Sequence, residues 1–159
     1  MTKTADLCDA RDDVRVCGTR FLSWGRKKAF EGPIRTVDCF EDIALIRQLT
    51  EQPGGGSVLV IDGRGSLERA LFGDAMAARM IGNGWAGVVV RGAIRDVTEI
   101  DSMLIGVKAI GTCPRRGSTR GGGDIDVAVS FGGTTFTPGE WMVADDDGVV
   151  VLARRPAGQ

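Results

Sequence analysis

Arg95 and Asp96 stand together shortly after an apolar run, in "GVVVRGAIRDVTEID" (87–101). An arginine placed there can grip a carboxylate at two points, or stabilise a developing enolate oxygen. The aspartate offers hard oxygen ligands of the kind that Mg²⁺ or Mn²⁺ takes while keeping several waters. A purely local reading also exists. Asp96 to Glu99 is close to a capping box, with Asp96 capping a helix and Glu99 reaching back from the third position. The two readings are compatible in part, because a cap can orient Glu99 while Asp96 faces a cleft.

A second candidate is "LFGDAMAARM", where Gly73 and Asp74 sit at the expected start of a helix. The first amides of a helix lack internal partners and carry the positive end of its dipole, so they can hold a carboxylate or phosphate. Gly73 would let a ligand approach those amides, and Asp74 can alternatively be a plain N-cap. "VIDGRGS" (60–66) could be a nucleotide or methyl-donor loop, but it lacks the third glycine of the dinucleotide pattern and reads as a turn. Arg115, Arg116 and Arg120 form a basic, Gly-rich loop expected to be solvated and mobile. Asp145 to Asp147 precede Gly148, as at a hairpin turn.

The chain has no His, and its four Cys, at 8, 17, 39 and 113, include no Cys-x-x-Cys pair. This argues against a Cys/His zinc site and excludes Ser-His and Cys-His nucleophiles. The thiols are expected to be free and buried. Acid–base work falls to carboxylates, Lys, Cys or a metal-bound water.

The elements that must position these groups can be read from periodicity. "SVLVIDG" and "AGVVVRG" read as strands buried on both faces, with the helix "DAMAARMIGNG" between them. That is a βαβ unit with parallel pairing. "GPIRTVDCF" reads as an earlier strand, "EDIALIRQLTEQ" as an amphipathic helix stopped by Pro53 and Gly54 to Gly56, and "GVKAIGT" as a later strand. A first helix over Ala5–Ala10 has Thr4 as its expected cap, and "VRVCGTRFL" alternates loosely like a strand. The last third holds three or four strand-like segments separated by Gly-Gly, Pro-Gly and Asp-Gly.

These features predict one α/β domain over residues 1–159, with antiparallel hairpins at its C-terminal end. With 24 Gly in 159 residues, many tight turns are expected. The net charge of −1 disfavours non-specific nucleic-acid binding. No apolar stretch is long enough to span a bilayer, and "MTKTADLCDARDD" lacks an apolar signal core. A cytoplasmic protein is expected.

Taken together, "VLVIDGRGSLERALFGDAMAARMIGNGWAGVVVRGAIRD", "FEGPIRTVDCFEDIALI", "GVKAIGTCPR" and "FGGTTFTPGEWMVADDDGVVVL" resemble the family of regulator of ribonuclease activity A. That family includes the class II 4-hydroxy-4-methyl-2-oxoglutarate aldolases. The resemblance covers nearly the whole chain. It implies a layered β/β/α swivelling-type domain, a homotrimer, and sites between subunits.

By position, the resemblance matches Gly73, Asp74, Ala75 and Met76 to the backbone that holds a substrate carboxylate. Arg95 matches the substrate-binding arginine, Asp96 the metal-binding aspartate, and Glu99 the acidic residue beyond it, in reach of the metal's waters. Implied are a divalent metal (Mg²⁺ or Mn²⁺), a small 2-oxo acid substrate, and pyruvate release with oxaloacetate decarboxylation. The alternative is a non-catalytic inhibitor that binds a ribonuclease. The ribonuclease-regulating branch replaces the aspartate of the Arg-Asp pair by an uncharged residue, whereas Asp96 is kept here. Longer aldolases of the family add a C-terminal acidic residue to a neighbour's metal shell, a contribution not expected from this chain. Arg91 is expected to add positive charge near the cleft.

Overall fold

Runs of β-branched residues set the centre of the molecule. In chain order the elements are α1 (Thr4–Ala10), β1 (Arg15–Val16), β2 (Leu22–Trp24), β3 (Phe30–Asp38), α2 (Ala44–Thr50), β4 (Val58–Asp62), α3 (Asp74–Gly82), β5 (Gly87–Ile94), α4 (Val97–Asp101), β6 (Val107–Thr112), β7 (Asp124–Ile125), β8 (Val129–Phe131), β9 (Thr134–Phe136), β10 (Trp141–Asp145) and β11 (Gly148–Leu152). This computed structural model describes residues 2–157. Strands β3, β4, β5 and β6 pair in parallel, and every residue of β4 is buried, as expected for a parallel strand covered on both faces.

Strand β3 makes the sheet curl. Its first half, Phe30–Pro33, pairs antiparallel with β10, and its second half, Ile34–Asp38, pairs in parallel with β4. The path β1-β11-β10-β3-β4-β5-β6-β2 therefore runs from an antiparallel layer into a parallel one. Strand alternation then separates two cores. Leu59, Ile61, Val88 and Val90 face the helices and pack with Ile46, Leu49, Met76 and Met80. Val58, Val60 and Val89 face the other way, toward Phe131, Phe136, Met142, Val149 and Val151. The result is the layered β/β/α arrangement. Each fully buried aliphatic side chain stabilises it by roughly 1.5–3 kcal/mol.

Several expectations change. Thr4 is the first residue of α1 rather than its cap, because its N–H and hydroxyl both donate to Asp145, at 2.9 and 2.7 Å. "VRVCGTRFL" is not one strand: it divides into β1 and the start of β2. The 114–123 loop is fastened rather than loose. Ser118 Oγ and the amides of Arg120 and Gly121 all donate to the Asp42 carboxylate, and Gly117 N–H donates to the Ala70 carbonyl. All four thiols are free, but Cys8 is exposed and Cys113 half-buried. The Cys39 thiol is pushed up to about 12, by burial first and then by Asp38, Asp42 and Asp62. Among the described residues, no helix is long and apolar enough to cross a membrane.

Candidate active site

Backbone hydrogen bonds bring the two sequence motifs together. The segment before α3 runs beside the end of β5: Leu71 N–H donates to the Ala93 carbonyl at 2.8 Å, and Arg95 N–H to the Phe72 carbonyl at 2.9 Å. Ala70 is bridged to both Ala93 and Arg116. Gly73, the residue preceding α3, is thereby set against the Arg95-Asp96 pair. A Cβ on Gly73 would lie 2.8 Å from Asp96 Oδ2 and 3.5 Å from Arg95 Cγ. Glycine is needed here for space, since its backbone (φ −149°) is ordinary extended chain.

Asp96 precedes α4, yet its side chain makes no capping bond. Its backbone is left-handed (φ 60°, ψ 38°), whereas a capping residue normally has extended dihedrals. The capping box therefore does not form. The carboxylate turns to the other helix instead, where Oδ2 accepts the first amide of α3, Asp74 N–H, at 3.3 Å. Arg95 Nε lies 4.0 Å from the same oxygen, and Arg95 Nη1 donates to the Pro114 carbonyl at 3.4 Å. Asp96 thus holds its carboxylate with few internal partners, and a left-handed aspartate of this kind is a mildly strained conformation.

Asp74 is the first residue of α3 and not its cap. A side-chain hydrogen bond shared with Asp96 pushes its carboxyl above the ordinary range. Partial burial and the charges of Asp96 and Glu99 add to this, against the Ala75 amide, which lowers it. Two carboxyl groups that crowd each other in this way favour either a shared proton or a cation.

Gly73, Asp74, Ala75, Met76, Arg95 and Asp96 all line one pocket of about 290 Å³. Met76 also packs into the helix-side core. Glu99 is exposed and does not line the pocket; it acts there through its charge on Asp74. The donor set suits a hard divalent ion. Asp96 can anchor it with Asp74 and Glu99 close behind, and Mg²⁺ is commonly held by one or two carboxylates and its own waters. Among the described residues, no three His, Cys, Asp or Glu side chains form a ready-made cage.

The pocket also contains residues that the motifs did not point to: Arg47, Glu51 and Arg79, together with Arg116 of the basic loop. Arg79 lies three and four residues beyond Met76 and Ala75, so helical spacing could have placed it on the side of the helix start.

Arg91 is not at the pocket. Alternation along β5 puts it with Val89 on the far side of the sheet, its guanidinium 5.6 Å from the Phe131 ring centroid and 3.3 Å from Asp62. The 62–66 segment is a closed turn: Arg64 N–H donates to Asp62 Oδ1, and a Cβ on Gly63 would meet Leu71 at 2.4 Å. Asp145 to Asp147 form the β10–β11 turn, with Asp147 N–H donating to Asp145.

The RraA-like family model (Aldolase/RraA) matches residues 4–151. A Xanthomonas campestris pv. campestris (strain 8004) protein named "Putative 4-hydroxy-4-methyl-2-oxoglutarate aldolase" is 49% identical over 150 residues, which is 94% of this chain and 90% of that protein. A crystal structure described as S-adenosylmethionine:2-dimethylmenaquinone methyltransferase, from Geobacillus kaustophilus HTA426, is 48% identical, with a TM-score of 0.97 and 99% of each chain covered. The structure of the RNA-processing inhibitor RraA from Thermus thermophilis is 39% identical, with a TM-score of 0.96, covering 99% of this chain and 96% of that one. Matched over nearly its whole length by sequence and by fold, the chain belongs to the RraA-like (Aldolase/RraA) family.

Proposed function

We propose that the protein is a divalent-metal-dependent carbon–carbon lyase. It cleaves 2-oxo acids of the 4-hydroxy-4-methyl-2-oxoglutarate type to release pyruvate, and it decarboxylates oxaloacetate. The observation that carries this reading is the convergence of Arg95, the Asp96 carboxylate and the open start of α3 on one pocket, with Gly73 leaving the room. The name of the Xanthomonas relative supports the same substrate class.

The amides at the start of α3 bind the carboxylate of the 2-oxo acid, aided by the helix dipole. Asp96 would hold the metal, with Asp74 next to it, and a bound Mg²⁺ or Mn²⁺ would supply Lewis-acid polarisation of the keto group. Arg95 donates to the oxygen that becomes negative as the carbon–carbon bond breaks and the pyruvate enolate forms. A donor aimed at a developing oxyanion is typically worth about 3–4 kcal/mol. The same enolate follows from loss of carbon dioxide from oxaloacetate, so one set of residues serves both reactions. The homotrimer belongs to this reading, and sedimentation velocity tests it.

The test is to follow pyruvate from 4-hydroxy-4-methyl-2-oxoglutarate or oxaloacetate with Mg²⁺, then with chelator, and then with Asp96→Asn and Arg95→Ala. Pyruvate no faster than with metal alone sinks the lyase. Activity that survives both substitutions sinks the site and leaves the reaction. A second reading, protein-binding inhibition of a ribonuclease, is favoured by the Thermus relative at 39% identity. It predicts inhibition of a ribonuclease that is indifferent to Asp96→Asn.

A further inference from the structure

Arg79 stands out in the pocket. Its Nη1 is buried and, among the described residues, has no hydrogen-bond partner. Burying a charged donor without a partner is costly, so such groups are normally paired or left in water. Arg47 and Arg116 line the same pocket, and among the described residues none of the three guanidinium groups makes an ion pair. Among the described residues, the carboxylates in the lining are Asp74, Asp96 and Glu51; Glu51 is exposed and is not paired with any of these arginines.

The placement follows from helix geometry. Arg79 lies five residues beyond Asp74, about 7.5 Å along the axis at 1.5 Å per residue. Helical side chains lean back toward the N-terminus, so Arg79 leans toward the open start of α3. Arg47 comes from α2, the helix packed beside α3. The pocket therefore has one anion-binding end at residues 73–76 and Arg95, and a second group of cations some way down the helix.

We infer that Arg79, assisted by Arg47, binds the distal carboxylate of the substrate, so that the site selects dicarboxylic over monocarboxylic 2-oxo acids. This rests on the lyase reading for the 2-oxo acid head, but it concerns recognition and not bond cleavage. Arg79 is a specificity residue: in 4-hydroxy-4-methyl-2-oxoglutarate it holds the carboxylate that stays on the departing fragment, outside the carbon–carbon bond that breaks, and its guanidinium matches a carboxylate fork.

The decisive pair of probes is 2-oxoglutarate and 2-oxopentanoate, which share a head and chain length and differ in the terminal carboxylate. With Mg²⁺ present, calorimetry on the wild-type protein is expected to show 2-oxoglutarate bound at least about 10-fold more tightly, the least expected from a hydrogen bond between charged groups. Arg79→Met, which keeps the apolar stem, should abolish that preference and leave 2-oxopentanoate affinity within about 3-fold. Arg47→Met should reduce the preference, and Arg79→Gln guards against a folding defect in the first variant. For turnover, Arg79→Met should raise KM for 4-hydroxy-4-methyl-2-oxoglutarate and largely spare kcat. No wild-type preference, or a preference that survives Arg79→Met, Arg79→Gln and Arg47→Met, overturns the inference. A wild-type preference without pyruvate release would instead overturn the lyase and leave the subsite standing.

Discussion

Asp42 and Asp96 both stand just ahead of short helices, and they are used in opposite ways. Asp42 is 4% exposed, and its carboxylate accepts from Ser118 Oγ and from the amides of Ala44, Arg120 and Gly121. Burial alone would raise its pKa, but those donors outweigh burial and hold it below the ordinary carboxylate range. Asp96 has a side chain 38% exposed, one long amide bond and one arginine at 4.0 Å, on a left-handed backbone. A carboxylate whose lone pairs are filled by the protein fastens a loop. One left with open lone pairs, at a strained residue in a pocket, is available to a ligand. The difference lies in how much of each carboxylate the fold has already used.

The largest effect should come from breaking the available one. Arg95→Ala is expected to slow pyruvate release by about 10²–10³-fold, the usual consequence of losing a donor to a developing oxyanion. Asp96→Asn should do at least as much and should also remove the dependence on added Mg²⁺. Thermal unfolding should barely move in either variant, because neither side chain carries much of the fold. Unfolding that shifts as far as activity would erase the contrast with Asp42.

The next effect runs the other way. Asp42→Ala orphans a hydroxyl and three amides that now meet at one carboxylate. An unsatisfied buried donor costs roughly 1–3 kcal/mol, and water can reach part of this loop, so a loss of about 2–3 kcal/mol in urea unfolding is expected. Activity per folded molecule should fall far less than in Asp96→Asn. The pH dependence follows from the lowered Asp42 pKa. Its stabilisation is present above the unfolded-state carboxylate pKa and is lost as pH falls through the lower folded value. Asp42→Asn should therefore flatten the acid side of the stability profile.

Much of this was legible in the sequence, for identifiable reasons. The all-buried β4, and β5, buried at every residue but Arg91, announced themselves as apolar runs, and the Arg-Asp pair and Gly73 flanked them at the C-terminal end and the helix start, where α/β folds place ligands. The curl was hidden, because one strand, β3, pairs antiparallel along one half and in parallel along the other, and periodicity carries no partner. The failed capping box was hidden too. Asp-x-x-Glu has the right residues, but the bond from Arg95 N–H to the Phe72 carbonyl fixes how the chain leaves β5, and it enters α4 with Asp96 left-handed. Arg47 and Arg79 belong to no motif, and only the packing of α2 beside α3 brings them to one pocket.

Gly73→Ala tests a smaller step, the room in front of Asp96. The backbone there accepts alanine, but the new Cβ would press on Asp96 Oδ2 at 2.8 Å. The carboxylate must shift by a few tenths of an ångström, and a displaced catalytic group should lower kcat by about 10-fold with under about 1 kcal/mol lost in stability. A fully active Gly73→Ala would mean that Asp96 moves freely and that its position is not set by the start of α3.

The smallest effect concerns Asp74, and its sign is opposite to that of Asp42. With its pKa raised by Asp96, Asp74 contributes stability that is complete below the unfolded-state pKa and disappears as pH rises through the folded value. At neutral pH without metal, the pair of charges is a net repulsion. Asp74→Asn should then raise the unfolding temperature slightly, on the order of 1 °C, because solvent screens charges at a pocket mouth. Mg²⁺ should stabilise the wild-type protein more than the variant, since a cation between two carboxylates relieves what one carboxylate alone does not suffer. An Asp74→Asn variant that is less stable at neutral pH, with or without Mg²⁺, would show that the two acids are held together by the fold and that no cation is needed between them.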